Sequence, residues 1–245
     1  MDFDDFIERT NKTERLDKLF CLLVEAAEVT GFDQLAYGAV THTELPRLVD
    51  RPKPAIALNY PSYWQNYYME HNYRYIDPVV VYAPFIAGPF LWDSLVVRYD
   101  LNRKQLQLLN EAREAGLKNG ITVPLHGPSG KLAVVSFASR FDDANPRAQL
   151  SRLNALASQF HVVFTTLAHG LQSNVKAVDL SARERDCLNW VAHGKTSWEI
   201  SVILDINPNT VDFHIKNAMN KLDATNRIAA VFKAIRLGII DPPRL

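Results

Sequence analysis

Asn209, Phe213, Lys216, Asn217 and Asn220 recur at spacings of four, three, one and three residues, which places them on one face of a 3.6-residue helix. Their side chains share a chemistry. Amides can bond adenine edges, a lysine can reach guanine or phosphate, and a phenyl ring can touch a thymine methyl, so the face suits the major groove of double-stranded DNA. It suits equally the solvated side of a small helical bundle, and only its setting separates the two readings. An exposed Phe213 is unfavourable without a partner, which favours DNA. Thr210, Lys195 and Lys221 complete the candidate contact set.

A second concentration of chemistry lies in the first hundred residues: Tyr60, Trp64, Tyr67, Tyr68, Tyr73, Tyr75, Asp77 and Trp92. Trp64 and Tyr68 stand one turn apart on one helix face. Apolar walls with a few placed donors and one acceptor are what a small-ligand pocket needs. The same aromatic cluster is also what an ordinary core looks like, and Asp77-Pro78 also reads as a turn.

The DNA-reading face is set among start and stop signals. Ser181 with Glu184, and Thr196 with Glu199, are capping boxes for two short helices, the first ended by Gly194. Leu188, Val191 and Ala192 form the apolar stripe of the first; Ile200, Ile203 and Leu204 form that of the second. Asp205 and Ile206 make a tight link. Asn207 caps a third helix with Pro208 in its first turn, running to about Leu222 and buried through Val211, Ile215, Ala218, Met219 and Leu222. A last helix, near Asn226 to Leu237, closes the bundle through Ile228, Val231, Phe232 and Ile235. Residues 179–245 thus read as a helix-turn-helix domain.

Residues 1–170 alternate helical and strand patterns. A long helix is expected over Thr13 to Thr30, and strands at Gln34 to Val40, Ala55 to Tyr60 and Gly88 to Trp92. A hairpin pairs Gly120 to His126 with Lys131 to Ser139 around Gly127, Pro128, Ser129 and Gly130. Helices at Ser62 to Asn72, at Asn102 to Gly116 and after Pro146 surround these strands. The implied fold class is α+β: an α-β-α sandwich with an antiparallel sheet, then an all-α helix-turn-helix domain, with residues 171–178 as linker.

Several functions lack the residues they would need. The seven histidines have no metal-ligand spacing, and no Gly-x-Ser-x-Gly elbow appears, so neither hydrolase chemistry nor a bound cofactor is expected. Asp4 and Asp5 precede a helix pattern rather than the strand ends a phosphorylated receiver needs. Cys21 and Cys187 fall in apolar helical patterns and read as buried thiols. The start, Met1 to Asp5, lacks the pattern of a signal peptide, and no apolar run is long enough for a membrane span, so a cytoplasmic protein is expected. The net charge of zero, close to balanced on either side of Asp179, counts mildly against a DNA partner unless cations gather on one side.

Taken together these residues closely resemble the LuxR-type quorum-sensing regulators, receptors for N-acyl-homoserine lactones that couple a pocket domain to a helix-turn-helix. In the first domain the resemblance rests on Trp64, Tyr68, Asp77-Pro78, Trp92 and the Gly120-Ile-Thr-Val-Pro run; in the second, on Glu184, Leu188, Gly194, Thr210-Val211 and Lys221-Leu222. It implies that Trp64 donates its indole N–H to the lactone carbonyl, that Asp77 accepts the ligand amide N–H, and that Tyr68 borders the acyl group. Tyr60 and Ser136 stand where the family often bonds the acyl carbonyl, and Trp92 is implied as a pocket wall. The acyl group itself, whether straight, branched or aryl, is not legible.

Leu153, Leu156, Phe160, Val163 and Leu167 follow an a/d spacing that fits either a partner helix or the molecule's own sheet. The resemblance implies a homodimer on an inverted-repeat site, its recognition helices entering major grooves roughly 34 to 36 Å apart. It further implies activation of transcription with RNA polymerase as a partner. An orphan regulator answering another small molecule, and a phosphorylation-driven response regulator, are the alternatives.

Overall fold

The computed structural model describes residues 1–41, 55–127, 130–141, 145–171 and 178–243, in two compact units that divide within residues 172–177. The expected linker and the Pro128-Ser129 turn lie mostly or wholly outside the described residues.

In the first unit the strands β1 (Gln34–Ala39), β2 (Ala55–Leu58), β3 (Phe90–Leu91), β4 (Lys118–His126) and β5 (Leu132–Ser139) form one antiparallel sheet of order β2-β1-β5-β4-β3. Alternation splits it into two unlike faces. Leu35, Tyr37, Ile121, Val123, Val135 and Phe137 point to one side. There they pack against α1 (Phe3–Lys12), α2 (Leu16–Glu28) and α7 (Pro146–Leu171). The other face carries α3 (Ser62–Glu70), α4 (Pro78–Tyr82), α5 (Trp92–Arg98) and α6 (Arg103–Glu114) with smaller clusters and a cavity between. The α-β-α sandwich with an antiparallel sheet is therefore present.

Some expectations change. The helix expected over Thr13 to Thr30 runs Leu16–Glu28, Thr13 being extended, and a further helix precedes it: Asp2 caps α1 through the Asp5 N–H at 2.8 Å. Cys21 is exposed, not buried; it lies on the outer side of α2, opposite Leu19, Leu23 and Ala26. The third strand stops at Leu91 and Trp92 opens α5 instead. Most of the a/d stripe of α7 is taken up within the chain: Leu153, Leu156 and Phe160 are fully buried in the sheet's own core, and Val163 and Leu167 partly so.

The second unit holds α8 (Ala182–Ala192), α9 (Ser197–Leu204), α10 (Pro208–Lys221) and α11 (Arg227–Arg236). Both capping boxes form with reciprocal bonds, Ser181 with Glu184 and Thr196 with Glu199. Gly194, at φ +77°, takes the left-handed position after α8. Asp205 turns the chain out of α9, also left-handed, and the Asn207 side chain accepts from the Asn209 N–H to start α10. Val211, Ile215, Ala218 and Leu222 are buried as the spacing requires. Ile203, Ile228 and Phe232 are not: they are exposed, because α9 buries Ile200 and Ser201, and α11 lies on its neighbours through the small Ala230 and Ala234 with Val231. Alanine lets two helices approach closely, which turns the bulkier residues outward.

Candidate functional site

Between the sheet and α3–α6 lies a cavity of about 370 Å³ whose lining includes Tyr60, Trp64, Tyr68, Asp77, Trp92 and Ser136. All six pocket residues singled out in the sequence meet there. Local chemistry places each one. Trp64 and Tyr68, one turn apart on α3, set their rings 6.1 Å apart at 64°, an edge contact of the favoured kind. Tyr73 packs against both and, with Tyr67, donates to Glu111, which ties the α3 side of the cavity to α6.

Asp77 is the N-cap of α4, with Pro78 in the first turn. Asx followed by proline is a helix-start signal as well as a turn signal, and here the former applies. One carboxylate oxygen accepts from the Val79 N–H at 2.9 Å, the other from the Tyr68 hydroxyl at 2.8 Å. Burial pushes the carboxyl up, and the Tyr68 and backbone hydrogen bonds oppose it without cancelling it. An acceptor is thus fixed in an apolar wall. Trp64 lines the same cavity, and its indole N–H has no hydrogen-bond partner among the described residues.

Trp92 differs from its expected role as a plain wall. Its indole N–H donates to Thr122 Oγ1 at 2.9 Å, and Thr122 lies 2.8 Å from Ser136 Oγ. Sequence inspection missed Thr122, whose neighbours follow only from strand register: Ala36, Ser136, Thr122 and Phe90 stand opposite one another in a row across β1, β5, β4 and β3. The ring reaches this position because β4 carries an irregularity between Lys118 and Ile121, where Gly120 leaves its face open. The Tyr60 hydroxyl is enclosed. The Ser136 hydroxyl lies near enough to oppose the upward push of burial and Asp77 on its ionisation, yet Tyr60 has no partner in bonding geometry.

In the second unit, Asn209, Thr210, Phe213, Lys216 and Asn220 are exposed along α10, with Asn217 half-buried beside them. The other two lysines are engaged within the domain. Lys221 bonds the buried Glu184 at 2.8 Å and the Asp179 carbonyl, and Lys195 bonds Glu199 at 3.2 Å. Burial would raise the Glu184 carboxyl, but Lys221 and Ser181 together hold it below the usual range. Both lysines thus brace the helices rather than standing free with Lys216.

Among the described residues no group of side chains has the makeup of a metal site, and no helix is long and apolar enough to cross a membrane. Residues 15–163 match the family model of the autoinducer binding domain, and residues 178–234 that of the bacterial regulatory proteins of the luxR family. The chain is 38% identical over 230 residues to the HTH-type quorum-sensing regulator RhlR of Pseudomonas aeruginosa, covering 91% of this chain and 89% of that one. It is also 38% identical over 237 residues to the putative HTH-type transcriptional regulator y4qH of Sinorhizobium fredii, covering 96% and 72%. Crystalline SdiA of Escherichia coli superposes with a TM-score of 0.69 at 28% identity, over 98% and 99% of the two chains. SdiA in complex with octanoyl-rac-glycerol gives 0.68 at 28%, over the whole of both.

Proposed function

The chain belongs to the LuxR family of bacterial transcription regulators with an autoinducer binding domain, and from that premise we propose that its signal is an N-acyl-homoserine lactone held in the sheet–helix cavity. The observation that carries this is the pairing of a fixed acceptor, Asp77, with an unbonded donor, Trp64, in one apolar-walled space. An acyl-homoserine lactone offers the complement: an amide N–H for the carboxylate, a lactone carbonyl for the indole, and an acyl group for the aromatic and aliphatic walls. The SdiA complex supports a second reading, in which the acyl group rather than the lactone ring is the constant feature of the ligand.

The liganded protein binds an inverted-repeat DNA site as a homodimer, contacts RNA polymerase and activates transcription in the cytoplasm. α10 supplies the reading face through Asn209, Thr210, Phe213, Lys216, Asn217 and Asn220. With most of the α7 stripe buried internally, the dimer is supported by Ile228 and Phe232, one turn apart on α11 and 62% and 70% exposed. A second copy of the same patch would cover both. Ligand binding stabilises the first unit by mass action, which couples the signal to the amount of competent regulator.

A thermal-shift panel tests the reading: lactones varied in acyl length, branching and aromaticity, with octanoylglycerol as the rival. A large shift with one lactone class, lost in Asp77→Ala and Trp64→Phe, is expected. A shift with octanoylglycerol alone would replace the lactone by an acylglycerol.

A further inference from the structure

Tyr73 does not line the cavity, yet three residues that do, Trp64, Tyr68 and Asp77, are held against it. Its ring lies 6.3 Å from that of Trp64 and 5.9 Å from that of Tyr68, the latter edge-on at 87°. Its backbone carbonyl accepts from the Asp77 N–H at 2.8 Å, across the tight turn Tyr73–Tyr75 that leads the chain to α4. What anchors Tyr73 is at its other end. The hydroxyl donates to Glu111 on α6, whose carboxylate also accepts from the Tyr67 hydroxyl at 3.3 Å and from the Gln107 amide at 2.8 Å. Burial alone would raise the Glu111 carboxyl, but Tyr73, Gln107 and Tyr67 together hold it below the usual range. It is therefore ionised near neutral pH and can only accept, so in each contact the phenol is the donor. Tyr67 in turn stacks on Trp64, with ring centres 6.0 Å apart at 28°. Trp64 is thus flanked by two rings whose tips are pinned to one carboxylate.

We propose that Glu111, which lies outside the cavity, is a positioning residue for the ligand: acting through Tyr73 and Tyr67, it holds the Trp64 indole and the Asp77 carboxylate at a fixed separation. The two groups come from different elements, α3 and the start of α4, and both rest on Tyr73, so one anchor serves both. A donor and an acceptor fixed before the ligand arrives need not be ordered when it binds, and affinity gains what that ordering would have cost. Without Glu111 the two phenols would keep their packing but lose the acceptor that fixes their direction. The identity of the ligand rests on the lactone reading; the brace itself does not.

The test uses the full chain and two variants: Tyr73→Phe, which removes one hydroxyl, and Glu111→Ala, which removes the acceptor of both. Without ligand, the Trp64 indole ¹H–¹⁵N signal, identified by its loss in Trp64→Phe, is expected to shift in each, because the flanking rings that set its position are released. Affinity for N-hexanoyl-homoserine lactone is then measured well below each variant's melting temperature. Each variant should bind about 5- to 10-fold more weakly than the parent, roughly the net worth of one hydrogen bond. Combining the two should weaken binding no further than Glu111→Ala alone, because both changes act along one path. An indole signal unmoved in both variants overturns the brace. An affinity unchanged in both, or a double variant whose loss is the product of the single losses, overturns its action on the ligand through Tyr73. Should Glu111→Ala fail to fold, Tyr73→Phe carries both readouts. If no lactone binds the parent, the lactone reading falls and the indole signal alone decides the brace.

Discussion

Gly120→Ala is a change of one methyl group whose cost can be worked from the structure. The new Cβ would fall 2.0, 2.2 and 2.4 Å from three carbons of the Trp92 ring, where ordinary contact begins at 3.4 Å. The ring would have to retreat by at least about 1.4 Å, which would break its 2.9 Å bond to Thr122. Overpacking of a filled site costs about 1–3 kcal/mol. A buried hydroxyl deprived of its donor adds about 1 kcal/mol, for a total of about 2–4 kcal/mol. At about 2–4 °C per kcal/mol for a unit of this size, the unfolding midpoint should drop by about 5–15 °C. Heat and urea unfolding of the full chain would measure it. The decisive control is the same substitution in a Trp92→Ala background, where the space is already vacant. There alanine should be neutral or stabilising by a few tenths of a kcal/mol, because it restricts the unfolded chain. A Gly120→Ala variant melting within a degree of the parent, or an equal penalty in both backgrounds, would refute the reasoning.

Four further variants have expected outcomes. Asp77→Asn should weaken lactone binding by about 10- to 100-fold, the worth of a hydrogen bond to a charged group, as read by titration calorimetry. Without ligand it should melt no lower than the parent near neutral pH. Because the folded carboxyl of Asp77 lies above its ordinary 3.8, its ionisation subtracts stability as pH rises from about 4, and asparagine removes that loss. Lys216→Ala should lower the salt dependence of DNA affinity by about one unit of slope without changing the melt. Lys221→Ala should instead cost the second unit about 1–2 kcal/mol, because it strips the buried Glu184 of its partner; equal behaviour of the two variants would remove the distinction drawn between them. Glu199, drawn down to about 2 by Thr196 and Lys195, stabilises the folded state at any pH above its ordinary 4.5 and loses that contribution as pH falls towards 2. Glu199→Gln should therefore melt below the parent at pH 7, and the gap should close on acidification.

Residues that act through their own backbone neighbourhood were legible in the sequence. Ser181 with Glu184, Thr196 with Glu199, and Asn207 with Pro208 each announce a helix start within three residues, and the structure forms all three. The pocket residues were legible as a cluster because α3 and the segment to Asp77 are contiguous in the chain. Contacts that depend on a distant partner were hidden. Periodicity shows which side of α11 is apolar but not that Ala230 and Ala234 meet the neighbouring helices, so Ile228 and Phe232 were assigned inward. The spacing of α7 could not say whether a sheet or a second helix faces it. Thr122 gave no signal because its role is set by the register of β4 against β5, and Trp92 could not be read as a polar contact without the irregularity at Gly120.

The tying of Lys195 and Lys221 into their own helices also bears on how such a regulator searches a genome. Of the three lysines assigned to the reading surface, Lys216 is the one whose ammonium is not committed to a neighbouring carboxylate among the described residues. If the arginines of this unit add little to that surface, it displaces few counterions from DNA, and its hold on arbitrary sequence is weak and loosens little as salt rises. Bulk chromosomal DNA then acts as a shallow sink rather than a deep one. Occupancy of the correct promoter would follow the number of competent molecules closely, instead of waiting for millions of competing sites to fill.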